Sequence, residues 1–346
     1  MSTPSFRVAI SASAFKPDGS PQWKNLGLET LAEAGLEYAA ISEKCSSFTP
    51  QQLRDSQAVV VLAERVTTES LAKSADLLAV VRFGVGYDLV DVPACTDANV
   101  AVVITAGATD RPVAEATVGW MIAITHHTLI KDRLVRSGEW NQRTSYMGSE
   151  LRERTFGSIG FGRIAQETVR LLSSFGMNPP IAFDPYANPA AATALGVELV
   201  DLDTLMSTAD FVSVHCPLTE DTRGIIGEAE IAKMKPDSYL INTARGGIID
   251  EESLKVALEE RRIAGAAIDC FVDEPILTPH PFGELDNVIL APHAIAWTEE
   301  LFRDIGHTAC RALVNLARGE APAGVVNPEV FDKPEFQNKW ARLRLS

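Results

Sequence analysis

Short apolar runs alternate with helical patterns along almost the whole chain of 346 residues. The runs are rich in valine and isoleucine and stay apolar on consecutive positions, as is typical of strands buried on both faces. Because helical segments separate them, we expect parallel strands with helices covering both faces of each sheet. The pattern predicts an α/β fold built on parallel sheets. The predicted strands are 7–11, 58–62, 78–83, 100–105, 156–160, 181–184, 211–215, 239–243, 266–269 and 288–291.

The strands fall into two series, and two long helical patterns mark where the series meet. One helix is predicted over 113–137, between the series, and another over 297–318, after the last strand. A chain of this length suggests about two domains of roughly 150 residues. We therefore predict one domain from residues 1–110 plus 298–346, with the second domain, 111–297, inserted into it.

Charge and cysteine content exclude several classes of function. The chain has 31 basic and 46 acidic residues, so neither nucleic acid nor an anionic membrane is expected as a partner. The five cysteines are scattered without a Cys-x-x-Cys pair, which predicts neither a disulfide framework nor a metal site. No secretory signal and no membrane-spanning run is visible. A cytoplasmic location is the resulting expectation.

A glycine-rich turn is predicted between a strand and a helix. Residues 156–165 read FGSIGFGRIA, so Gly160, Gly162 and Ala165 fit the spacing G-x-G-x-x-G/A. Backbone N–H groups at such a helix N-terminus bind pyrophosphate, which a Cβ would obstruct. Asp184, about twenty residues on, would accept hydrogen bonds from the ribose hydroxyls. No Arg or Lys follows in 185–192, which favours NAD over NADP. The competing interpretation is a tight turn without a ligand.

Three further segments each place an ionisable residue after an apolar strand. Arg245, Glu274 and His293 follow three strands, and the carboxyl ends of parallel strands are where such sheets bind ligands. Arginine suits a substrate carboxylate because its planar fork binds two oxygens, and histidine suits proton transfer near neutral pH. A buried glutamate would orient and stabilise the imidazole. Alternatively, Glu274 only caps a surface turn before Pro275.

Two more segments belong with these three: they read RFGVGYDLVDVPACTDANVAV and VHCPLTEDTRGIIG. Together the five segments make the chain resemble the D-isomer-specific 2-hydroxyacid dehydrogenases. That family includes phosphoglycerate dehydrogenases and glyoxylate/hydroxypyruvate reductases. The resemblance implies that Arg245, Glu274 and His293 are catalytic. It also implies two Rossmann-like, doubly wound parallel-sheet domains, of which 111–297 binds NAD and the other binds a small 2-hydroxy or 2-oxo acid. It further implies a homodimer built on the helix near 113–137.

The resemblance also implies most of the ligand contacts. Val85 and Gly86 would hold the substrate carboxylate together with Arg245. His215 ends a strand at the cofactor edge, where lining the nicotinamide pocket and a packing role are equally expected. The full set of predicted cofactor contacts is Gly160, Gly162, Arg163, Ile164, Asp184, His215, Pro217, Thr243, Ala244, Arg245, Asp269 and His293.

The chain departs from the phosphoglycerate dehydrogenase pattern in its first domain. Where those enzymes carry Arg-Ser, the run VLAERVT (61–67) has Val61 and Leu62 followed by the acidic Glu64. This weakens phosphoglycerate as a substrate, unless Arg65 compensates. Glu274, where formate dehydrogenases carry Gln, argues against that activity. The remaining alternative is an NAD(H)-sensing corepressor-like or scaffold protein of the same fold.

Overall fold

The computed structural model describes residues 6–345, which form two compact units. The first unit comprises the chain up to Thr109 and from Trp297 onward, and the second spans Asp110–Ala296. The predicted domains were 1–110 with 298–346, and 111–297. Both predicted borders therefore lie one residue further along the chain than the borders of the two units.

The first unit is built on five parallel strands in the order β2-β1-β3-β4-β5. One strand was not predicted: β2 buries only Leu36, so its sequence lacks a continuous apolar run. The strands are β1 (Phe6–Ile10), β2 (Leu36–Ala40), β3 (Ala58–Val61), β4 (Ala79–Arg82) and β5 (Ala101–Ile104). The helices between them are α1 (Leu28–Glu33), α2 (Pro50–Leu53) and α3 (Val92–Asp97).

The second unit contains seven parallel strands in the order β12-β11-β10-β9-β6-β7-β8. Of these, β8 was not predicted, because its two residues are both exposed. The strands are β6 (Phe156–Ile159), β7 (Ile181–Phe183), β8 (Glu198–Leu199), β9 (Phe211–Val214), β10 (Tyr239–Asn242), β11 (Gly265–Ile268) and β12 (Val288–Leu290). The helices are α4 (Asp110–Thr125), α5 (Thr128–Arg136), α6 (Arg163–Leu172), α7 (Pro189–Ala194), α8 (Leu202–Thr208), α9 (Glu228–Ile231) and α10 (Glu251–Glu259).

The strand order of the second unit fixes where a ligand can bind. From β6 the chain proceeds outward to β7 and β8, then returns to the other side of β6 to form β9 and its successors. The helices after β6 and β9 therefore lie on opposite faces, which leaves a crevice beyond the carboxyl ends of these two strands. The two α/β sheets confirm the predicted fold class.

The helix predicted over 113–137 is wrong as a single element. It ends at Thr125, and α5 begins at Thr128, because His127 lies in the left-handed region with φ 51°. The Thr125 carbonyl accepts a hydrogen bond from Ser149 N at 3.0 Å, so an external partner replaces the next turn of the helix. A periodic apolar sequence did not reveal this break.

The C-terminal segment completes the first unit with α11 (Glu299–Ala317) and α12 (Pro334–Leu343). Leu313 and Leu316 on α11 join the core formed by strand residues such as Val8. None of the described helices, α11 included, has the length and apolar composition that crossing a membrane requires. Where α11 passes closest to the chain before α1, a glycine, Gly306, faces the backbone of Leu26.

Gly306→Ala is expected to destabilise the protein, because the new Cβ would lie 2.7 Å from Leu26 Cα. Overpacking of this kind costs about 1–3 kcal/mol of unfolding free energy. Gly283→Ala is the control, since Gly283 lies in the turn Pro281–Glu284 and has open space around its Cβ position. It is expected to raise stability by about 0.4–1 kcal/mol. Denaturant unfolding measures both, and equal effects would contradict the packing described for α11.

Candidate active site

The turn after β6 needs its first glycine for structural reasons alone. Gly160 has φ +90°, in the left-handed region, and a Cβ there would lie 2.6 Å from Cys216 N and 2.8 Å from His215 C. Any side chain would thus collide with the backbone that follows β9. Ala165 is fully buried where α6 packs on the sheet, which explains the small residue at the third motif position.

Gly162 has no such structural explanation. Its φ of −74° is accessible to any residue, and a Cβ there would have no neighbour within 4 Å. It is the N-cap of α6 and makes no side-chain cap, so the first N–H groups of the helix remain available. A ligand that approaches the backbone more closely than a Cβ permits explains this glycine. The dinucleotide pyrophosphate fits such a site.

Asp184 lies beside this turn, directly after β7. Its Oδ2 accepts a hydrogen bond from Phe161 N and its Oδ1 accepts one from Tyr186 N, both at 2.8 Å. These bonds fix the carboxylate, and each oxygen has a further lone pair for a ribose hydroxyl. Arg163, at the start of α6, directs its exposed guanidinium to Asp110, with Nε 2.6 Å from Oδ2.

The segment after β9 carries two of the predicted cofactor contacts. His215 Nε2 lies 2.9 Å from the hydroxyl of Ser213, which is buried within β9. Burial lowers the pKa of His215 to about 4, so its imidazole is neutral near pH 7. These contacts give His215 a packing role, and its contact with the nicotinamide stays a prediction. Pro217 follows, and its carbonyl accepts a hydrogen bond from the Thr222 hydroxyl at 2.6 Å.

The turn after β10 is held by an asparagine that the sequence analysis missed. Asn242 Oδ1 accepts a hydrogen bond from Ala244 N at 3.0 Å, and its Nδ2 donates to the Arg245 carbonyl at 2.8 Å. Asn242 is buried, and its only signal in the sequence is a polar residue at the end of an apolar run. The Thr243 hydroxyl lies 3.5 Å from that of Thr117 on α4.

A second missed residue, Gly246, brings two turns together. A Cβ at Gly246 would overlap the backbone of Phe271, so the turn after β10 lies directly against the segment after β11. The Arg245 guanidinium donates through Nη1 to the Ala244 carbonyl at 2.7 Å. The paired glycines after Arg245 were the available signal for this close approach.

Asp269, after β11, fixes the turn that carries His293. Its carbonyl accepts a hydrogen bond from His293 N at 2.8 Å, and its Oδ1 accepts from Ala294 N at 2.9 Å and Ile295 N at 3.2 Å. Burial raises the pKa of Asp269, against the effect of these bonds. His293 has φ 53°, an uncommon conformation for a residue with a side chain, which these bonds maintain.

Glu274 and His293 form a hydrogen-bonded pair at this edge of the sheet. Glu274 Oε2 lies 2.8 Å from His293 Nδ1, and Glu274 Oε1 accepts a hydrogen bond from Phe271 N at 2.9 Å. Burial opposes ionisation of Glu274, but the hydrogen bonds and the charges of His293 and Arg245 outweigh it, so its pKa is lowered. The carboxylate therefore stays charged beside the imidazole, and the alternative of a simple surface cap is not what this geometry favours.

In the first unit, the predicted carboxylate-binding residues Val85 and Gly86 lie in the loop after β4. Arg82 Nε donates to the Gly86 carbonyl at 2.7 Å, and its Nη1 donates to the Phe83 carbonyl at 2.9 Å. Gly84 N donates to the Thr105 hydroxyl at 3.0 Å. Side chains from β4 and the segment after β5 thus determine the conformation of this loop.

The family comparison identifies the second unit. Residues 118–294 match the model described as "D-isomer specific 2-hydroxyacid dehydrogenase, NAD binding domain". A glyoxylate reductase of Thermofilum pendens is 37% identical over 81% of this chain and 84% of its own length. A D-3-phosphoglycerate dehydrogenase of Methanocaldococcus jannaschii is 40% identical over 84% of this chain, but the match spans only 56% of that longer protein.

Solved structures show the same fold over nearly the whole chain. The D-lactate dehydrogenase of Aquifex aeolicus, complexed with NAD and lactic acid, is 25% identical with a TM-score of 0.79, covering 90% of this chain and 96% of its own. The apo D-lactate dehydrogenase of Escherichia coli is 26% identical with a TM-score of 0.75, covering 93% of this chain and 100% of its own.

Gly162→Ala is expected to leave the fold intact but weaken NADH binding by about tenfold or more, or about 1.4 kcal/mol. The reason is that its Cβ meets no protein atom yet occupies the space beside the helix N-terminus. NADH fluorescence titration and thermal unfolding measure the two effects. Gly160→Ala is the contrasting variant, and it should lower the unfolding temperature because its Cβ meets backbone. Unchanged NADH affinity in Gly162→Ala would contradict the pyrophosphate assignment.

Proposed function

This chain belongs to the D-isomer-specific 2-hydroxyacid dehydrogenase family and is an NAD-dependent oxidoreductase, and we propose that its substrate is a small, unphosphorylated 2-hydroxy or 2-oxo acid. The observation that carries the catalytic assignment is the 2.8 Å hydrogen bond between Glu274 and His293. It lies at the sheet edge that also carries Arg245, whose charge acts on Glu274.

His293 is the proposed acid and base. During reduction of a 2-oxo acid, its Nε2 would donate a proton to the carbonyl oxygen, and in the reverse direction it would accept one. Glu274 holds Nδ1, which selects the tautomer and stabilises the imidazolium form. Because Glu274 has a lowered pKa, it supplies its negative charge throughout the neutral range.

Arg245 is the proposed anchor for the substrate carboxylate. Its Nη1 bond to the Ala244 carbonyl restrains the guanidinium, and the bonds from Asn242 restrain the turn beneath it. A guanidinium binds a carboxylate through two parallel hydrogen bonds, which orients the 2-oxo group as well as binding it. The backbone of Val85 and Gly86 in the first unit is proposed to contribute further donors.

The residues that would hold NAD follow from the same geometry. We assign the pyrophosphate to the turn at Gly160 and Gly162, and the ribose to Asp184. At Asp269, Oδ1 receives both backbone bonds, so Oδ2 is proposed to meet the carboxamide of the nicotinamide. When bound, the cofactor supplies or accepts the hydride. The other predicted contacts remain part of the proposal, namely Arg163, Ile164, His215, Pro217, Thr243 and Ala244.

Two observations favour an unphosphorylated substrate. Glu64, after β3 at the carboxyl edge of the first sheet, is 2% exposed and accepts hydrogen bonds from the Ser11 hydroxyl at 2.5 Å and Ala63 N at 3.1 Å. An acidic side chain does not bind a phosphate dianion as a basic one does, and Val61 and Leu62, where the phosphoglycerate dehydrogenase pattern has Arg-Ser, offer a phosphate no partner either.

The decisive experiment follows NADH oxidation with purified protein and a panel of 2-oxo acids: glyoxylate, hydroxypyruvate, pyruvate, branched acids and phosphohydroxypyruvate. We expect turnover with at least one small unphosphorylated acid and little with the phosphorylated one. His293→Ala should reduce turnover by about 10²–10⁴-fold, because proton transfer is lost, with NADH binding retained.

The outcomes separate the alternatives. Preferred turnover of the phosphorylated acid would contradict the role given to Glu64. Undiminished turnover in His293→Ala would remove that residue from the mechanism. Tight NADH binding without turnover of any acid would favour the corepressor-like alternative.

We also propose a homodimer that buries the α4–α5 surface. Five large apolar residues in this part of the chain are exposed, among them Leu129 and Val135 on α5 at 56% and 62%. Several exposed apolar residues within one short stretch of chain favour a subunit interface there. The other three are Ile122, Trp140 and Met147.

The double substitution Leu129→Asp with Val135→Asp is expected to convert a dimer into a monomer, because both carboxylates would be buried unpaired in the interface. Sedimentation velocity measures the change. Leu277→Asp is the control, since Leu277 is 87% exposed on a different part of the second unit and should leave the mass unchanged. A dimer that survives the double substitution would exclude this surface.

A further inference from the structure

A cysteine lies beside the proposed acid–base pair. Cys270 directly follows Asp269, and one ligand atom each from Cys270, Glu274 and His293 lies within 4.8 Å of the other two. Cys270 is buried, whereas the side chains of Glu274 and His293 are 33% and 41% exposed. The sulfur therefore lies beneath two groups that solvent reaches, at the end of β11.

The three donors form a set that suits zinc chemistry. One thiolate, one imidazole nitrogen and one carboxylate oxygen bind Zn²⁺ in tetrahedral geometry and leave a fourth position for water. The sulfur favours soft or borderline cations such as Zn²⁺, Cd²⁺ and Co²⁺ over Mg²⁺ and Ca²⁺. Tetrahedral zinc sets its ligand atoms about 3.5 Å apart. Glu274 Oε2 and His293 Nδ1, now 2.8 Å apart, would therefore separate by less than about 1 Å, and the Cys270 sulfur would take the same spacing from them. The exposed side chains of Glu274 and His293 have room for this adjustment.

The surrounding charges also suit a divalent cation. Asp269 and Glu274 influence each other electrostatically, and Arg245 acts on Glu274 with the opposite sign. With Cys270 as a thiolate and His293 neutral, the thiolate and the Glu274 carboxylate carry the charge of the three ligands. The net charge is then close to −2, which a divalent cation neutralises. The guanidinium weakens binding, so reversible occupancy is expected rather than a permanent structural metal.

We propose that Cys270, Glu274 and His293 form a binding site for a thiophilic divalent cation, and that its occupancy inhibits the dehydrogenase. On binding, the Cys270 thiol leaves the Ala244 carbonyl, 3.4 Å away, and releases its proton to solvent. The metal takes one nitrogen of His293 and one oxygen of Glu274, so the pair no longer supplies a proton to the substrate. Inhibition rests on the proposed role of His293, whereas binding does not.

Binding is tested with Co²⁺, which gives a sulfur-to-metal charge-transfer absorption when a thiolate coordinates it. The chelator-treated wild-type protein should develop this band with one equivalent of Co²⁺, and Cys270→Ser should lose it. Cys216→Ser is the matched control and should retain the band, because Cys216 also follows a strand of this sheet but is not in the cluster. Cys270→Ala serves as a second variant if the serine disturbs the fold. A band that persists without Cys270, or never forms, overturns the site.

Inhibition is tested by adding Zn²⁺ to the NADH-linked assay. Micromolar Zn²⁺ should slow wild-type turnover reversibly, with recovery on adding EDTA. The Zn²⁺ concentration that halves turnover should be about tenfold or more higher for Cys270→Ser than for the wild type. Equal sensitivity of the two proteins would overturn the inhibitory role of the cluster. If the protein forms the cobalt band but reduces no 2-oxo acid, the metal site is supported and the proposed dehydrogenase function is contradicted. The two failures are therefore distinguishable.

Discussion

The parallel alignment of the seven strands in the second unit is the constraint on which its chemistry depends. Parallel strands deliver every carboxyl end to one edge, so residues far apart in the sequence follow their strands into one place. The chain places Arg245 after β10, Asp269 after β11 and His293 after β12. Glu274 lies in the segment between β11 and β12. Because helices cover both faces of the sheet, its strands are apolar, and the polar side chains lie at this edge.

Most of the polar residues at this edge support one another before they contact any ligand. Asn242 holds the turn of Arg245, and Asp269 holds the turn of His293. Glu274 is bonded to a backbone N–H on one side and to the imidazole on the other. Such fixed dipoles and charges are arranged in advance of the reaction, which is how an enzyme avoids reorganising its surroundings at the transition state.

The metal inference follows from the same arrangement. The hydrogen-bonded carboxylate and imidazole are both groups that bind metals, and a neighbouring thiol adds a third. The distinction between an acid–base pair and a metal site then depends on one side chain, Cys270. Arg245 would limit how tightly a cation is held, because the charge of its guanidinium repels the cation.

The sequence by itself determined the strands that are buried on both faces, the glycine turn after β6, and the three ionisable residues after β10, β11 and β12. These features depend on local patterns: consecutive apolar residues, Gly spacing and strand-ending polar residues. The tertiary structure decided the rest. It formed β2 and β8 from segments with little buried surface, and it broke the helix at His127 through a bond from Ser149. It also gave Asn242, Gly246 and Asp269 their positioning roles. The paired glycines after Arg245 signal a close approach, but the partners of these three residues are set by how neighbouring turns meet.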